Sequence, residues 1–369
     1  MWGFQNPVQV SFGAGAFAGL PDAIGGRPYA LVTYGEPVFT DLAQRLAGMA
    51  GAPTVILDQV APNPDFADLP GFCERFGEAK QAPRVIVALG GGSVMDTAKA
   101  LAAAGDDFGR VRRYLENGAD DLRTLPIIAV PTTAGTGSEV TCWATLWDAA
   151  TGRKHSLSRR DLYPEHAVID PELLLGLPRA LTVSTGLDAL SHALESLWNV
   201  NATPVSRSLA VAGAREMLEA LPLLVAELDD LDLRTRVAQA ALLAGLAFSN
   251  TRTALAHSLS YPMTLRHGVP HGIACSFSLP MVMRGAIGAN HDCDRALREI
   301  FGPDLDAGAD RLSAFLTSLD VSLDSSDYGV STEEWRGLFD LAFSGERGQN
   351  YIGSRERLEA ALGGATATA

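Results

Sequence analysis

The stretch Arg84–Leu89 (RVIVAL) is apolar almost without interruption. It runs directly into Gly90-Gly91-Gly92-Ser93, which opens the helical segment Val94–Ala104. A run of this kind, with no polar alternation, suits a strand buried on both faces. Three successive glycines let the backbone approach a ligand closely, and the first N–H groups of the helix then point at it. That arrangement suits a pyrophosphate. The spacing is neither G-x-G-x-x-G nor a Walker A loop, and it equally fits a plain strand-to-helix turn.

Other short apolar runs, Tyr29–Thr33, Pro53–Leu57, Pro126–Val130 and Ala167–Asp170, read as strands, and Phe39–Met49 reads as a further helix. Strand–helix alternation argues for a parallel sheet with crossover helices. Beyond about Leu181 the pattern changes. Val183–Asn199, Ser206–Glu227, Leu233–Ser249, Ala254–Leu259, His271–Ala286 and Asp310–Leu319 have helical periodicity or composition. The chain thus reads as an α/β, Rossmann-like dinucleotide-binding domain over 1–178, followed by an all-helical metal-binding and substrate domain over 179–369. Leu228–Leu233 (LDDLDL) reads as an acidic loop or helix start, and the tail Gly363–Ala369 as disordered.

A second loop, Val130–Thr141, also follows a strand. Thr132, Thr133, Thr136, Ser138 and Thr141 place hydroxyls beside Gly135 and Gly137. Two such loops at the carboxyl ends of parallel strands favour a dinucleotide crevice. After the first strand, Tyr34 and Gly35 stand where an acidic residue would exclude a 2′-phosphate, with Glu36 one step on. Both NAD and NADP stay open, with the balance toward NADP.

Composition narrows the class. The chain has 369 residues, 47% of them hydrophobic, and a net charge of −14. It lacks the basic surplus of a nucleic-acid binder. The 4 Cys are far apart with no CxxC pair, as in the reduced thiols of a cytoplasmic protein. The first residues resemble no secretory signal, and no apolar run reaches the roughly 18 residues of a membrane span.

Asp188 and His192 are spaced i, i+4, so a helix projects both from one face. With His257 and His271 they would form a set of three imidazoles and one carboxylate, suited to Fe(II) or Zn(II). By spacing alone, Asp188 and His192 fit a simple hydrogen-bonded pair as well. His267 and His271 could be a second, unrelated pair, although Pro270 argues that His271 starts a new helix.

These residues resemble the iron-containing (group III) alcohol dehydrogenases of the dehydroquinate synthase-like superfamily. The resemblance is carried by Gly90–Ser93 with Asp96 and Lys99, Pro131–Glu139, Lys154–Ser156, Val168–Pro171, Thr185–Glu195, Ala256-His257 and Pro270-His271-Gly272. It implies Asp188, His192, His257 and His271 as metal ligands, with the active site in a cleft between the domains. Gly91, Gly92 and Ser93 would cradle the pyrophosphate. Thr132, Thr133, Ser138 and Thr141 would line the adenine and nicotinamide side, Lys154 would reach the ribose, and Asp96 would lie near the nicotinamide or hold the loop. The implied reaction is hydride transfer between NAD(P) and a small aldehyde or alcohol. The metal, Fe(II) or a displacing Zn(II), would polarise the oxygen.

Many members carry a further His four residues after the third ligand, where this chain has Tyr261. His267, water or a ribose hydroxyl would then relay the proton. Within the family, Trp2-x-x-x-Asn6-Pro7-Val8 and Ser260–Gly272 are similar to the phosphonoacetaldehyde reductases. Arg266, His267, Arg159 and Arg160 are candidate donors to a phosphonate. The resemblance also implies a homodimer, with Val8–Phe12 as a candidate pairing strand. Other readings are a metal-dependent lyase or cyclase of the dehydroquinate synthase type, a reductase of another short aldehyde or keto acid, and a non-catalytic module.

Overall fold

The computed structural model describes residues 1–359, and the tail Gly363–Ala369 lies outside the described residues. Contacts divide the chain into two compact units. One comprises Asn6–Thr133 and Gly137–Gly176; the other comprises Met1–Gln5, Ala134–Thr136 and the chain from Leu177 onward.

The first unit is built on a six-stranded parallel sheet: β1 (Gln9–Phe12), β2 (Tyr29–Val32), β3 (Val55–Leu57), β4 (Val85–Gly90), β5 (Ile127–Pro131) and β8 (His166–Ile169), in the spatial order β1-β8-β5-β4-β2-β3. Successive side chains of β4 alternate between two cores. Val85, Val87 and Leu89 join Phe17, Leu20, Ile24 and Leu46, whereas Ile86 and Ala88 join Phe72, Met95 and Leu101. The first of these cores draws on helices α1 (Leu20–Ile24) and α2 (Pro37–Ala50). The second draws on α3 (Leu69–Gly77), α4 (Gly92–Ala104) and α5 (Gly109–Asn117). Burial on both faces explains why β4 carries no polar alternation.

From β2 the chain moves outward to β3 and then returns to the other side of β2 as β4. The order therefore reverses between β2 and β4, the place where sheets of this kind bind ligands. The Thr33 hydroxyl ties the two strand ends together by donating to the Leu89 carbonyl at 2.8 Å. An antiparallel hairpin, β6 (Trp143–Asp148) with β7 (Arg153–Ser158), was not anticipated. Its turn uses Gly152 at φ +64°, a conformation that favours glycine.

The second unit is helical among the described residues: α6 (Arg179–Leu197), α7 (Pro204–Ala226), α8 (Leu231–Thr251), α9 (Leu255–His267), α10 (His271–Ser276), α11 (Leu279–Ala286), α12 (His291–Phe301), α13 (Leu305–Ser318) and α14 (Thr332–Ser344). Helix α6 packs against α7, α8 and α10 and is buried almost throughout, polar residues included. Caps fix several helix starts. Asp230 of the acidic LDDLDL run accepts from the Leu233 N–H at 2.8 Å, and Asp304 from that of Ala307 at 3.0 Å.

Two helix boundaries differ from expectation. Helix α9 continues past Pro262 to Gly268, whose φ of +67° ends it. The stretch His271–Ala286 is two helices, broken at Phe277–Ser278, with Pro280 in the first turn of α11. Among the described residues no helix is long and apolar enough to cross a membrane.

Candidate functional site

In the α/β unit, β4 ends at Gly90 and α4 begins after Gly91, which offers no side chain to cap it. The first N–H groups of α4 are thereby left to a ligand. The cradle is tight. A Cβ on Gly90 would fall 2.5 Å from Val94 Cγ2, and one on Gly91 would fall 3.3 Å from the Tyr34 hydroxyl and 3.4 Å from Thr133. Tyr34, two residues beyond the end of β2, therefore borders the glycine loop. The Ser93 hydroxyl accepts from the Asn63 N–H at 3.1 Å. Thr132 is buried and Thr133 partly buried, and Lys154 lies over the Trp147 ring, 5.5 Å from its centroid.

Behind this cradle sits Lys99, which is fully buried. Its ammonium donates to the Ser138 carbonyl at 2.7 Å, the Ser138 hydroxyl at 2.8 Å, the Trp143 carbonyl at 2.9 Å and the Thr141 hydroxyl at 3.3 Å. Ser138 passes a hydrogen bond on to Asp96 Oδ1 at 3.0 Å, and the Thr145 N–H donates to Asp96 Oδ2 at 3.0 Å. Ser138, Thr141 and Asp96, read from sequence as cofactor contacts, are thus engaged in fixing the second loop to α4. Burial pushes the Lys99 ammonium down to about 8 and the nearby Glu139 carboxyl up to about 7.

In the helical unit, α6 presents Asp188, His192 and Glu195 at positions 0, 4 and 7, one face of the helix. His257 comes from the first turn of α9 and His271 opens α10. A Cβ on Gly272 would lie 1.7 Å from the Ser184 carbonyl, so only glycine lets α10 come this close to α6. The result is three imidazoles around one carboxylate oxygen. Asp188 Oδ1 is 3.3 Å from His257 Nε2, 3.7 Å from His192 Nε2 and 3.9 Å from His271 Nε2. Asp188 Oδ1 and His257 Nε2 are buried and make no hydrogen bond. Buried polar atoms are costly in that state, and a divalent cation would satisfy both. Burial acts to raise the Asp188 carboxyl, but the facing histidines hold it well below the usual carboxylate range. Burial also drives the His192 imidazole down to about 4, so the ring is neutral, as a metal ligand must be.

Sequence reasoning missed three features of this site. Glu195, fully buried, accepts the Nδ1–H of His257 at 2.7 Å and also receives the N–H groups of Ala254, Ala256 and His257. It caps α9, whose own N-cap Ala254 has no polar side chain, and it turns the Nε2 of His257 toward Asp188. Cys275, one turn after His271, joins Asp188, His257 and His271 in a group of potential ligand atoms lying within 4.8 Å of one another. Arg347 lies 4.9 Å over the ring of Tyr261, which is nearly parallel to His271 at 6.2 Å. The set opens on that side: the His271 side chain is 36% exposed, against 6% for Asp188 and His192 and 3% for His257.

The other anticipated donors lie elsewhere. His267 Nε2 is hydrogen-bonded to Glu334 at 3.0 Å, with Arg266 3.9 Å from the same carboxylate. Arg159 is held by Asp120 and Asp161.

Comparison with known proteins agrees with this division of the chain. A family model described as iron-containing alcohol dehydrogenase matches residues 7–171, and one for the C-terminal part of the Fe-containing alcohol dehydrogenase family matches 182–358. The chain is 38% identical over 197 residues to the NAD-dependent methanol dehydrogenase of Bacillus methanolicus, covering 53% of this chain and 52% of that one. It is 38% identical over 266 residues to the phosphonoacetaldehyde reductase of Streptomyces viridochromogenes, covering 70% and 64%. It thus spans about half of the first relative and just under two thirds of the second. Over 100% of both chains it superimposes on the crystal structure of the sulfoacetaldehyde reductase from Bifidobacterium kashiwanohense in complex with NAD+, with a TM-score of 0.91 and 31% identity.

Proposed function

The chain belongs to the iron-containing alcohol dehydrogenase family, and on that premise we propose that it reduces a short aldehyde bearing a phosphonate or sulfonate group, at the expense of NADH or NADPH. The observation that carries the reading is the buried Asp188 oxygen ringed by the Nε2 atoms of His192, His257 and His271. The likeness to a phosphonoacetaldehyde and a sulfoacetaldehyde reductase supports the substrate class.

Asp188, His192, His257 and His271 would hold the metal, and Gly91, Gly92, Ser93, Thr132, Thr133 and Lys154 the dinucleotide. When bound, Fe(II) or Zn(II) polarises a carbonyl oxygen and the reduced nicotinamide supplies hydride. The rest falls to the chain. The Gly91–Ser93 turn neutralises the pyrophosphate with backbone N–H groups. Lys99, Ser138, Thr141 and Asp96 keep the second loop rigid behind it. Glu195 fixes the His257 tautomer, and Phe248, stacked on His192 at 4.0 Å between centroids, keeps water from that face. Arg347 offers a guanidinium on the open side of His271, where the anionic group of the substrate would lie. His267, committed to Glu334, does not enter this scheme; the proton reaches the product oxygen from solvent at the exposed edge of His271.

Oxidation of NADH and NADPH by the anaerobic, Fe(II)-loaded protein tests the proposal, with phosphonoacetaldehyde, sulfoacetaldehyde and propanal as substrates. A preference of about a hundredfold in kcat/KM for an anionic aldehyde, about 2.7 kcal/mol in the transition state, is expected. Equal turnover of propanal overturns the substrate class. No oxidation of either cofactor overturns the reductase and moves the assignment to the lyase reading.

A further inference from the structure

Cys275 lies where a lone cysteine is ordinarily only a packed thiol. It is fully buried in α10, one helical turn beyond His271, and its Sγ is 3.6 Å from His271 Nε2. Around it are Asp188 Oδ1 and His257 Nε2, each more than nine-tenths buried, neither hydrogen-bonded, and 3.3 Å apart. Metal–nitrogen and metal–oxygen bonds of about 2.1 Å and metal–sulfur bonds of about 2.3 Å put neighbouring ligands of a tetrahedral ion roughly 3.4–3.7 Å apart. The separations of 3.3 Å for Asp188–His257, 3.6 Å for Cys275–His271 and 3.9 Å for Asp188–His271 bracket that range.

We propose that Cys275 is itself a ligand of this centre, giving a mixed carboxylate, imidazole and thiolate site. The inference rests on the metal reading of Asp188, His192, His257 and His271. On coordination the thiol gives its proton to solvent and the sulfur donates its electron pair to the cation. With Asp188 it supplies two negative charges, which neutralise a divalent ion. A soft sulfur donor shifts preference toward Zn(II) and Co(II) and away from oxygen-seeking ions such as Mn(II). The spacing of the sequence pointed only to Asp and His. A cysteine with no CxxC partner carries no metal signature, and only the turn of α10 brings it to the set.

Cobalt reports on the site without reference to turnover. The metal-stripped protein is titrated with Co(II) under anaerobic conditions and its absorption spectrum recorded. One equivalent of bound Co(II) with an intense near-ultraviolet thiolate-to-cobalt charge-transfer band is the expected result. The band should vanish in Cys275→Ser, which still binds cobalt, and persist in Cys293→Ser. Zn(II) should lose about tenfold or more of its advantage over Mn(II) in Cys275→Ser. Cobalt bound with visible d–d bands but no charge-transfer band in the unmodified protein overturns the proposal alone. No cobalt binding overturns the metal reading and this inference with it. The spectrum of the unmodified protein is decisive even if the serine variant does not fold.

Discussion

Glu195 and His257 are joined at 2.7 Å between Oε2 and Nδ1, and the same carboxylate closes the start of the helix that carries His257. One buried acid thus sets the ring's tautomer, its orientation and the helix beneath it. Burial opposes its ionisation, but His257 and the three backbone N–H groups hold it below the ordinary range.

Glu195→Gln should therefore weaken metal binding about 10–100-fold, since the second partner of a ligating imidazole controls its aim and basicity. Competition against a chromophoric chelator measures this. The metal-free variant should also unfold at lower urea, by about 1–3 kcal/mol, from the mispaired backbone donors. Metal affinity equal to that of the parent would refute the role.

Glu139 gives a pH signature to the α/β unit. Its carboxyl is lifted to about 7 in the folded chain, from an ordinary value of 4.5, by burial. The neutral form is the one the fold favours. Its contribution is intact below about pH 4.5 and is lost as the pH rises through about 7. Glu139→Gln should gain urea stability relative to the parent as the pH goes from about 5 to about 7.5. A difference between the two proteins that does not change with pH would contradict this.

Arg347→Ala should raise KM for an anionic aldehyde by about ten- to a hundredfold, the loss of one charge-assisted contact worth about 1.5–3 kcal/mol. Turnover of propanal should be little affected. Parallel steady-state measurements on the two substrates check this, and an equal fall for both would point to damage at Tyr261 and His271 instead.

His267→Ala should leave kcat within about twofold and its pH profile unshifted, because the Nε2 of His267 is given to Glu334 and a proton relay is worth about a hundredfold or more. A lost limb in the pH–rate profile would restore His267 as the relay.

Much of the first unit could be read directly. The apolar run before Gly90 marked β4 because both its faces are covered, and the glycines after it marked the cradle. The β6–β7 hairpin was missed because Arg153–Ser158 is polar and charged, so its alternation is faint. Pro262 looked like a helix stop, yet α9 carries it, and the break before α11 falls at Phe277–Ser278, where no glycine or proline stands. Asp188 and His192 share a helix face by spacing alone. Glu195 shares it as well, but an acid on a helix usually faces water, and nothing local shows that α6 is buried on every side. Cys275 and Arg347 come to the site through α10 and the chain just beyond α14, which is tertiary information.

The pairing of β1 with β8 also sets a timetable. Ser11 bonds His166 at 2.9 Å across 155 residues of chain, and the Asp170 carboxylate receives the N–H groups of Gly15 and Phe17. A ribosome delivers β1 first and its strand neighbour near the end of the unit. Strands β2 to β5 lie between and need neither of them to pair, so the sheet grows from its middle and closes its far edge last. That closure carries the largest loop-closure entropy in the unit and belongs to its slow folding phase. Until β8 emerges, the nascent amino terminus is an unsatisfied strand that a chaperone would hold.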